Sequence, residues 1–274
     1  MSHVRTLAAI TTLLLAVPSV APAHPRGKVQ RHRAQSPRLG GQRDLFVYLP
    51  PGYNPRSRKR YPVLYLQDGQ NLLGRRGWDV TRAVEREVRA GRARPAIIVG
   101  VDHGGAGRIH EYSPSRDRQV GGGGGARRYL RFVTDELKPW VDRTFRTLGE
   151  SRHTVIGGSS MGGLVSLYAG LKRPDVFGGV LAMSPSLWWN GREMHRRVSS
   201  RAVPRGLRVY IDSGGAGPSA DGSRETNAMR DLLHRKGMRF GRNLFHWFEG
   251  SHPHTEAAWR ARFPRAYSTL FPAR

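Results

Sequence analysis

Cysteine is absent from this sequence of 274 residues, which excludes disulfide bonds, a thiol nucleophile and thiolate metal sites. Acidic residues are scarce: the sequence has 20 Asp and Glu but 46 Lys and Arg, which gives a formal net charge of +26. Beyond the first residues, no apolar run approaches the about 20 residues of a membrane-spanning helix. The chain is nevertheless 38% hydrophobic, so it has the material for a sizeable folded core.

The first 23 residues have the pattern of a secretory signal peptide. A short basic start is followed by the apolar run TLAAITTLLLAV and by a small-x-small pattern at Ala21 and Ala23. The alternative is an uncleaved anchor helix, for which the apolar run is short. We therefore expect cleavage near Ala23, no stable membrane span, and a secreted or periplasmic protein.

The segment 24–42 is basic, contains proline and glycine, and has almost no residues typical of a core. This composition predicts a flexible arm ahead of one folded domain over 43–274. The positive charge is mostly arginine and is scattered without a lysine-rich tail or an aromatic-interleaved stripe. We expect non-specific attraction to polyanions but no specific nucleic-acid binding.

Within 43–274, short apolar segments alternate with amphipathic ones, which predicts an α/β fold with a mainly parallel sheet and helices on both faces. Strands are predicted at 43–49, 63–67, 96–101, 154–158, 178–184, 208–212 and 243–249. The segment YLRFVTDELKPWVDRTF is predicted to be a helix that bends or restarts at Pro139. Catalytic groups should then lie on the loops at the carboxyl ends of the strands.

The most informative motif is Gly158-Ser159-Ser160-Met161-Gly162, which fits the G-x-S-x-G nucleophile elbow between a strand and a helix. The tight turn strains the central serine and leaves no room for side chains two residues before and after it. Ser159 fails this rule because Met161 lies two residues after it, so the spacing selects Ser160 as the nucleophile.

A serine nucleophile needs a base, and in this fold the base follows in the loop before the last helix. Two histidines, His252 and His254, lie there, and their spacing does not separate them. His246 falls within a predicted strand and is more easily explained as structural. A partial metal site formed by the His-Pro-His stretch and Glu256 is a weaker alternative, since no further clustered ligand is evident.

The acid of a triad should follow the strand RVYID. A loop aspartate reaches an imidazole more readily than one at the strand end, which favours Asp221 over Asp212, with Glu225 third. The backbone N–H of Met161 is the first expected oxyanion donor, and the second is expected from the Gly69–Gln70 backbone after the strand VLYLQ.

Five longer stretches, spread from about Val47 to Phe271, are informative in combination: VYLPPGY, VLYLQDGQNL, ELKPWVDRTFRT, TVIGGSSMGGLVSLYAGLKRPDVFGGVLAMSPSLWW and HTEAAWRARFPRAYSTLF. Together they resemble the esterase-D-like esterases, the α/β-hydrolases that include enterochelin and other ferric-siderophore esterases. The resemblance implies an α/β-hydrolase fold with Ser160 as nucleophile. It also implies that His254, in the pattern His-x-Glu-x-x-Trp, is the base rather than His252.

The resemblance further implies that Trp188 and Trp189 lie near the substrate pocket, although core packing explains them equally well. The predicted function is that of an exported serine carboxylester hydrolase for siderophore-type or other small esters, without cofactor or metal. Two alternatives remain: an acyltransferase of the same fold, and a basic binding protein for polyanions or ferric siderophores.

Overall fold

The computed structural model describes residues 26–273, so the predicted signal peptide and the first residues of the predicted arm lie outside the described part. Ten strands are present in this range: β1 Lys28–Ser36, β2 Gly41–Leu49, β3 Val63–Gln67, β4 Ile97–Val101, β5 Arg116–Asp117, β6 Gly122–Gly123, β7 Thr154–Ser159, β8 Gly179–Met183, β9 Arg208–Gly214 and β10 Leu244–Glu249. The eight α-helices of the described range are α1 Val80–Arg89, α2 Arg108–Tyr112, α3 Ala126–Arg131, α4 Lys138–Thr144, α5 Met161–Lys172, α6 Trp189–Ser199, α7 Ser223–Arg235 and α8 Glu256–Leu270.

Eight strands form one sheet in the order β1-β2-β4-β3-β7-β8-β9-β10, while β5 and β6 form a small separate ribbon. Six neighbouring strands of this sheet run parallel to one another: β4, β3, β7, β8, β9 and β10. At one side of the sheet, β2 pairs antiparallel with β4, and β1 pairs antiparallel with β2. The inner parallel strands β3, β4, β7 and β8 are mostly apolar and wholly buried, because helices cover both faces of the sheet. Helices α1 and α8 share one face, and α3 to α7 pack on the other. The predicted α/β architecture is confirmed.

The arm predicted over 24–42 is wrong for most of its length, since β1 and the start of β2 form a regular hairpin there. β1 is an edge strand whose partner is β2, so backbone hydrogen bonds order it without a long apolar pattern. Side chains add to this: the His32 ring lies edge-on to Trp140 at 5.0 Å, and Ser36 Oγ donates to Glu136 Oε2 at 2.6 Å. The basic, polar composition therefore reflects an exposed edge rather than a flexible arm.

The helix predicted around Pro139 continues through the proline by a change of winding. A π-helical stretch over Phe132–Leu137 connects α3 to α4, and the proline lies in the first turn of α4. Proline lacks an N–H and its ring crowds the carbonyl of the preceding turn, and the wider π-helical winding ahead of Pro139 accommodates both effects. None of the helices within 26–273 combines the length and the apolar character needed to cross a bilayer.

Candidate functional site

Ser160 lies directly after β7, at the edge where all the parallel strands end, and precedes helix α5. Its backbone angles, φ 55° and ψ −123°, fall outside the regions that a residue with a Cβ normally adopts. This strain is the one expected of a nucleophile elbow, in which the serine is pushed out of the turn. Ser159, by contrast, is the last residue of β7 and is buried.

The glycines around Ser160 are required by close contacts. A Cβ at Gly158 would lie 2.9 Å from the carbonyl carbon of Gly162 and 3.0 Å from Gln67 Cβ. A Cβ at Gly162 would lie 3.0 Å from the same Gln67 atom. Real side chains do not tolerate such distances without movement of the backbone, so the steric reason predicted for these two glycines holds.

In the described part of the chain, Ser160 Oγ shares a hydrogen bond with Ser186 Oγ at 3.2 Å and has none with His254. The backbone reinforces this pairing, because Ser186 N donates to Ser160 O at 3.0 Å. Ser186 follows β8, the neighbouring parallel strand, at the same edge of the sheet. Sequence reasoning missed this serine, because its pairing with Ser160 joins two residues that are 26 positions apart.

His254 and Asp221 are brought together from two different loops. His254 Nδ1 donates to Asp221 Oδ1 at 2.6 Å, and because the acceptor is a carboxylate, the proton resides on Nδ1. The imidazole ring also packs edge-on against the Trp259 ring, with 4.8 Å between the centroids. The ring is thus held by one hydrogen bond and one aromatic contact, which leaves Nε2 as its free basic nitrogen.

The second oxygen of the fully buried Asp221 carboxylate is surrounded by donors. Oδ2 accepts from Ser184 Oγ at 2.5 Å, from the Gly214 backbone N–H, and from Arg262 Nη2 at 3.2 Å. Burial by itself would raise the pKa of Asp221, but the hydrogen bonds from His254, Ser184 and Gly214 outweigh it and hold the pKa below its usual value. Asp221 is therefore ionised at neutral pH.

The other carboxylates and histidines considered from the sequence lie elsewhere. Asp212 is buried within β9, where it accepts from Tyr210 Oη at 3.2 Å and from Ser184 N at 3.3 Å. Glu225 pairs with Arg192 at 2.6 Å. His246 is in β10, and burial, with Arg230 nearby, lowers its pKa to about 4. The structure thus pairs Asp221, not Asp212, with His254.

His252 contributes its backbone to the same region. Its carbonyl oxygen accepts from Gly215 N at 3.1 Å and from Ala216 N at 3.2 Å, which ties the loop after β10 to the loop after β9. These bonds help to bring His254 within reach of Asp221. Within 26–273 no group of three or more His, Asp or Glu side chains is arranged to hold a metal ion.

The predicted oxyanion donors lie beside the elbow. Met161 is the first residue of α5, where the N–H has no intrahelical partner. Gly69 opens a short 3₁₀ turn after β3, the strand next to β7, and a Cβ there would lie 2.5 Å from Asp102 Oδ1. Gln70 follows it and accepts from His103 N through Oε1 at 3.3 Å.

Trp188 and Trp189 separate in the structure. Trp188 is 50% exposed, close to Ser186 in sequence. Trp189 is buried, and its Nε1 donates to Ser115 O at 3.0 Å, which agrees with the alternative explanation of core packing. The large indole fills the space between α6 and the β5 loop, where even a Cβ on Gly123 would touch it.

A positive charge also lies near the elbow. Asp68, in a left-handed conformation after β3, accepts two hydrogen bonds from Arg108 at 2.7 and 2.8 Å. The carboxylate of Asp68 lies 3.1 Å from the position of a Cβ on Gly162. Glu256, the first residue of α8, accepts from Trp78 Nε1 at 2.5 Å and from Asn71 Nδ2 at 3.1 Å, which anchors the helix that follows His254.

The mainly parallel sheet, covered by helices on both faces and carrying the strained serine at its carboxyl edge, has the α/β-hydrolase fold, and solved structures of esterases share this fold. A ferulic acid esterase superposes with a TM-score of 0.74 at 21% identity, covering 90% of this chain and 98% of that one. The enterobactin esterase FES from Shigella flexneri, crystallised with enterobactin, gives 0.73 at 23% identity and covers 91% of this chain and 62% of that one.

The family described as "Putative esterase" matches residues 36–270, and the chain belongs to this esterase family. Among curated relatives, the protein YbbA of Bacillus subtilis is 27% identical over 76% of this chain and 78% of its own length. The ferri-bacillibactin esterase BesA of the same organism is 30% identical over 54% of this chain. The match spans about half of BesA, 55% of its length.

Asp212→Asn is expected to flatten the pH dependence of stability. Burial raises the pKa of Asp212 from 3.8 to about 7, so the folded protein binds a proton that the unfolded chain has lost between these values. This group therefore destabilises the fold progressively as the pH rises through that window, and asparagine cannot titrate. The free energy of unfolding is measured in urea at pH 4.5 and 7.5. Relative to the wild type, that of the variant should be higher at pH 7.5 than at pH 4.5 by at least about 1 kcal/mol. If the free energies of unfolding of variant and wild type differ by the same amount at both pH values, the raised pKa of Asp212 is contradicted.

Proposed function

We propose that the protein is an exported serine carboxylic ester hydrolase that works through Ser160, His254 and Asp221. The observation that carries the proposal is the strained Ser160 backbone at the edge to which the loops bring the His254–Asp221 pair. A structural serine has no need of such strain, and a ligand-binding protein has no need of a histidine oriented by a buried carboxylate. Membership of the esterase family supports the same reaction.

In the first half of the proposed reaction, Ser160 Oγ bonds to the ester carbonyl carbon while His254 Nε2 takes the hydroxyl proton. The carbonyl oxygen becomes an oxyanion, to which the backbone N–H groups of Met161 and of the Gly69–Gln70 turn would donate. The carbon–oxygen bond to the alcohol then breaks, and His254 gives its proton to the departing oxygen.

In the second half, water loses a proton to His254 and attacks the acyl group on Ser160. The resulting tetrahedral intermediate collapses with cleavage of the bond to Ser160 Oγ, which recovers its proton from His254 and releases the carboxylic acid. Asp221 remains ionised throughout and stabilises the imidazolium that forms twice in each turnover. The Ser160–Ser186 hydrogen bond is then a resting arrangement that gives way when substrate brings Ser160 and His254 together.

The substrate class that fits best is a siderophore-type or other small ester with an aromatic acyl group. Trp188 offers an exposed indole face near the elbow, and Arg108 offers a cation held by Asp68. An indole suits a planar catechol or phenolic ring, and a guanidinium suits a neighbouring negative charge. Relatives named as ferri-bacillibactin and iron(III) enterobactin esterases are consistent with this choice.

Ser160→Ala should lower turnover of a p-nitrophenyl ester by about ten-thousand-fold or more, because no other group replaces the covalent nucleophile. The matched control is Ser159→Ala, which removes the neighbouring hydroxyl from the end of β7 and should retain most of the activity. Initial rates of the two purified variants show which of the two serines is the nucleophile. Substantial activity in Ser160→Ala, or its loss only in Ser159→Ala, would refute the assignment.

His254→Ala should lower kcat by about a thousand-fold, because the proton acceptor is lost. His252→Ala should stay within a few-fold of wild type, since the loop uses the backbone carbonyl of His252, which alanine retains. Steady-state kinetics at pH 8 distinguishes the two variants. If His252→Ala is the inactive one, the base has been misidentified.

Trp188→Ala should raise KM for methyl ferulate by about five- to tenfold, the range expected for the loss of one aromatic stacking contact, and change KM for methyl butyrate much less. Phe240→Ala is the matched control, because Phe240 is also 50% exposed but lies between α7 and β10, away from the elbow. Equal effects of Trp188→Ala on both esters would remove the support for an aromatic acyl group.

A further inference from the structure

Arg262 is a buried cation behind the proposed triad, only 3% exposed and located on α8. Its Nη2 donates to Ser184 Oγ at 2.6 Å and to Asp221 Oδ2 at 3.2 Å. We propose that Arg262 is a positioning residue for ester hydrolysis: it is the counter-ion that holds the ionised Asp221 carboxylate in place and directed at His254. This inference rests on the proposed function, since it assigns a residue to that same site.

The contacts of Arg262 concentrate on the side of the carboxylate that faces away from His254. Asp221 uses Oδ1 for the imidazole and Oδ2 for Ser184, Gly214 and Arg262. Ser184 Oγ joins the arrangement by accepting from Arg262 while it donates to Asp221. The carboxylate can therefore rotate only if it loses these bonds, and Oδ1 stays aimed at Nδ1 of His254.

The cost of burying Arg262 indicates that its charge, rather than its contribution to packing, is what the site uses. Within the described residues its Nε and Nη1 are buried and make no hydrogen bond. Unsatisfied donors on a buried guanidinium destabilise a fold, and an apolar side chain of similar volume would avoid that cost. A positive charge at this position is explained by the negative charge that it stabilises.

Two carboxylates compete for this one guanidinium, and they are not equivalent. Arg262 Nε lies 3.4 Å from Asp212 Oδ2, but burial raises the pKa of Asp212 to about 7, so this carboxyl is largely protonated below neutral pH. The charge of Arg262 is then left to Asp221. A further ionisable group facing the cluster is Tyr210, which is neutral at these pH values because burial raises its pKa, whereas Arg265 on the next turn of α8 is exposed.

Helix α8 supplies both parts of the support for the triad. Trp259 packs against the His254 ring and donates Nε1 to Ser184 Oγ at 3.0 Å. Arg262 lies three residues later on the same helix face and reaches the same hydroxyl and Asp221. Thr255 caps this helix, and Glu256 anchors its first turn, so the loop carrying His254 and the cation behind Asp221 are fixed to the same helix.

The test is the pH profile of kcat/KM for Arg262→Gln, with rates normalised to the sites labelled by a fluorophosphonate. Loss of the cation makes the His254 imidazolium easier to form, so the acid limb should move to higher pH, by roughly one unit. The value of kcat should fall by about tenfold, the loss expected for one charge-assisted hydrogen bond, with KM little changed. Arg262→Lys keeps the charge and should leave the limb near its wild-type pH.

The matched control is Arg265→Gln, which removes the same charge from an exposed position of the same helix and should not move the limb. If Arg262→Gln does not fold, the double variant with Asp212→Asn replaces it, because it leaves no unpaired charge between the two positions. An unchanged limb in the folded Arg262 variant, or an equal shift in Arg265→Gln, would overturn the role of Arg262. A wild-type protein that neither hydrolyses esters nor takes the label would instead overturn the proposed function.

Discussion

The Asp221 carboxylate is the interaction on which the arrangement of this edge of the sheet depends. It is fully buried, yet it accepts hydrogen bonds from four different segments: Ser184 after β8, Gly214 at the end of β9, His254 after β10, and Arg262 on α8. Apart from the loop carrying His254, which leads directly into α8, these segments are far apart in sequence. One ionised group thus joins two loops, the end of a strand and a helix, and its hydrogen bonds compensate for the cost of taking a charge out of water.

The same edge concentrates unfavourable backbone and electrostatic features. Ser160 is strained, Asp68 and Ser184 have positive φ, and two buried donors of Arg262 make no hydrogen bond. Such features persist only where the surrounding structure holds them, and here the buried parallel strands do so. Their concentration in one place, away from the regular outer helices, is what the proposed chemistry requires, since a reactive serine and an oriented imidazole must be held before substrate arrives.

Much of this site could be predicted from sequence because its signals are local. The turn at Ser160 needs glycine at Gly158 and Gly162, and a tight turn of this kind shows directly in five consecutive residues. Asp221 and the pair of candidate bases His252 and His254 followed from the order of strands and loops, and the family resemblance selected His254. The contributions of Ser184, Ser186 and Arg262 could not be found in that way, because each depends on contacts between segments far apart in the chain. The edge strand β1 was missed for a related reason: backbone pairing with β2 orders it, and its polar side chains carry no core pattern.

The most direct test of the account is to find which atom of the protein becomes covalently bonded to an electrophile. The protein is incubated with a fluorophosphonate, digested and mapped by peptide mass. The account predicts one adduct on Ser160, formed rapidly in the wild type and far more slowly in His254→Ala, because the imidazole activates the hydroxyl. An adduct on Ser159 or Ser186, or none at all in a folded protein, would contradict it.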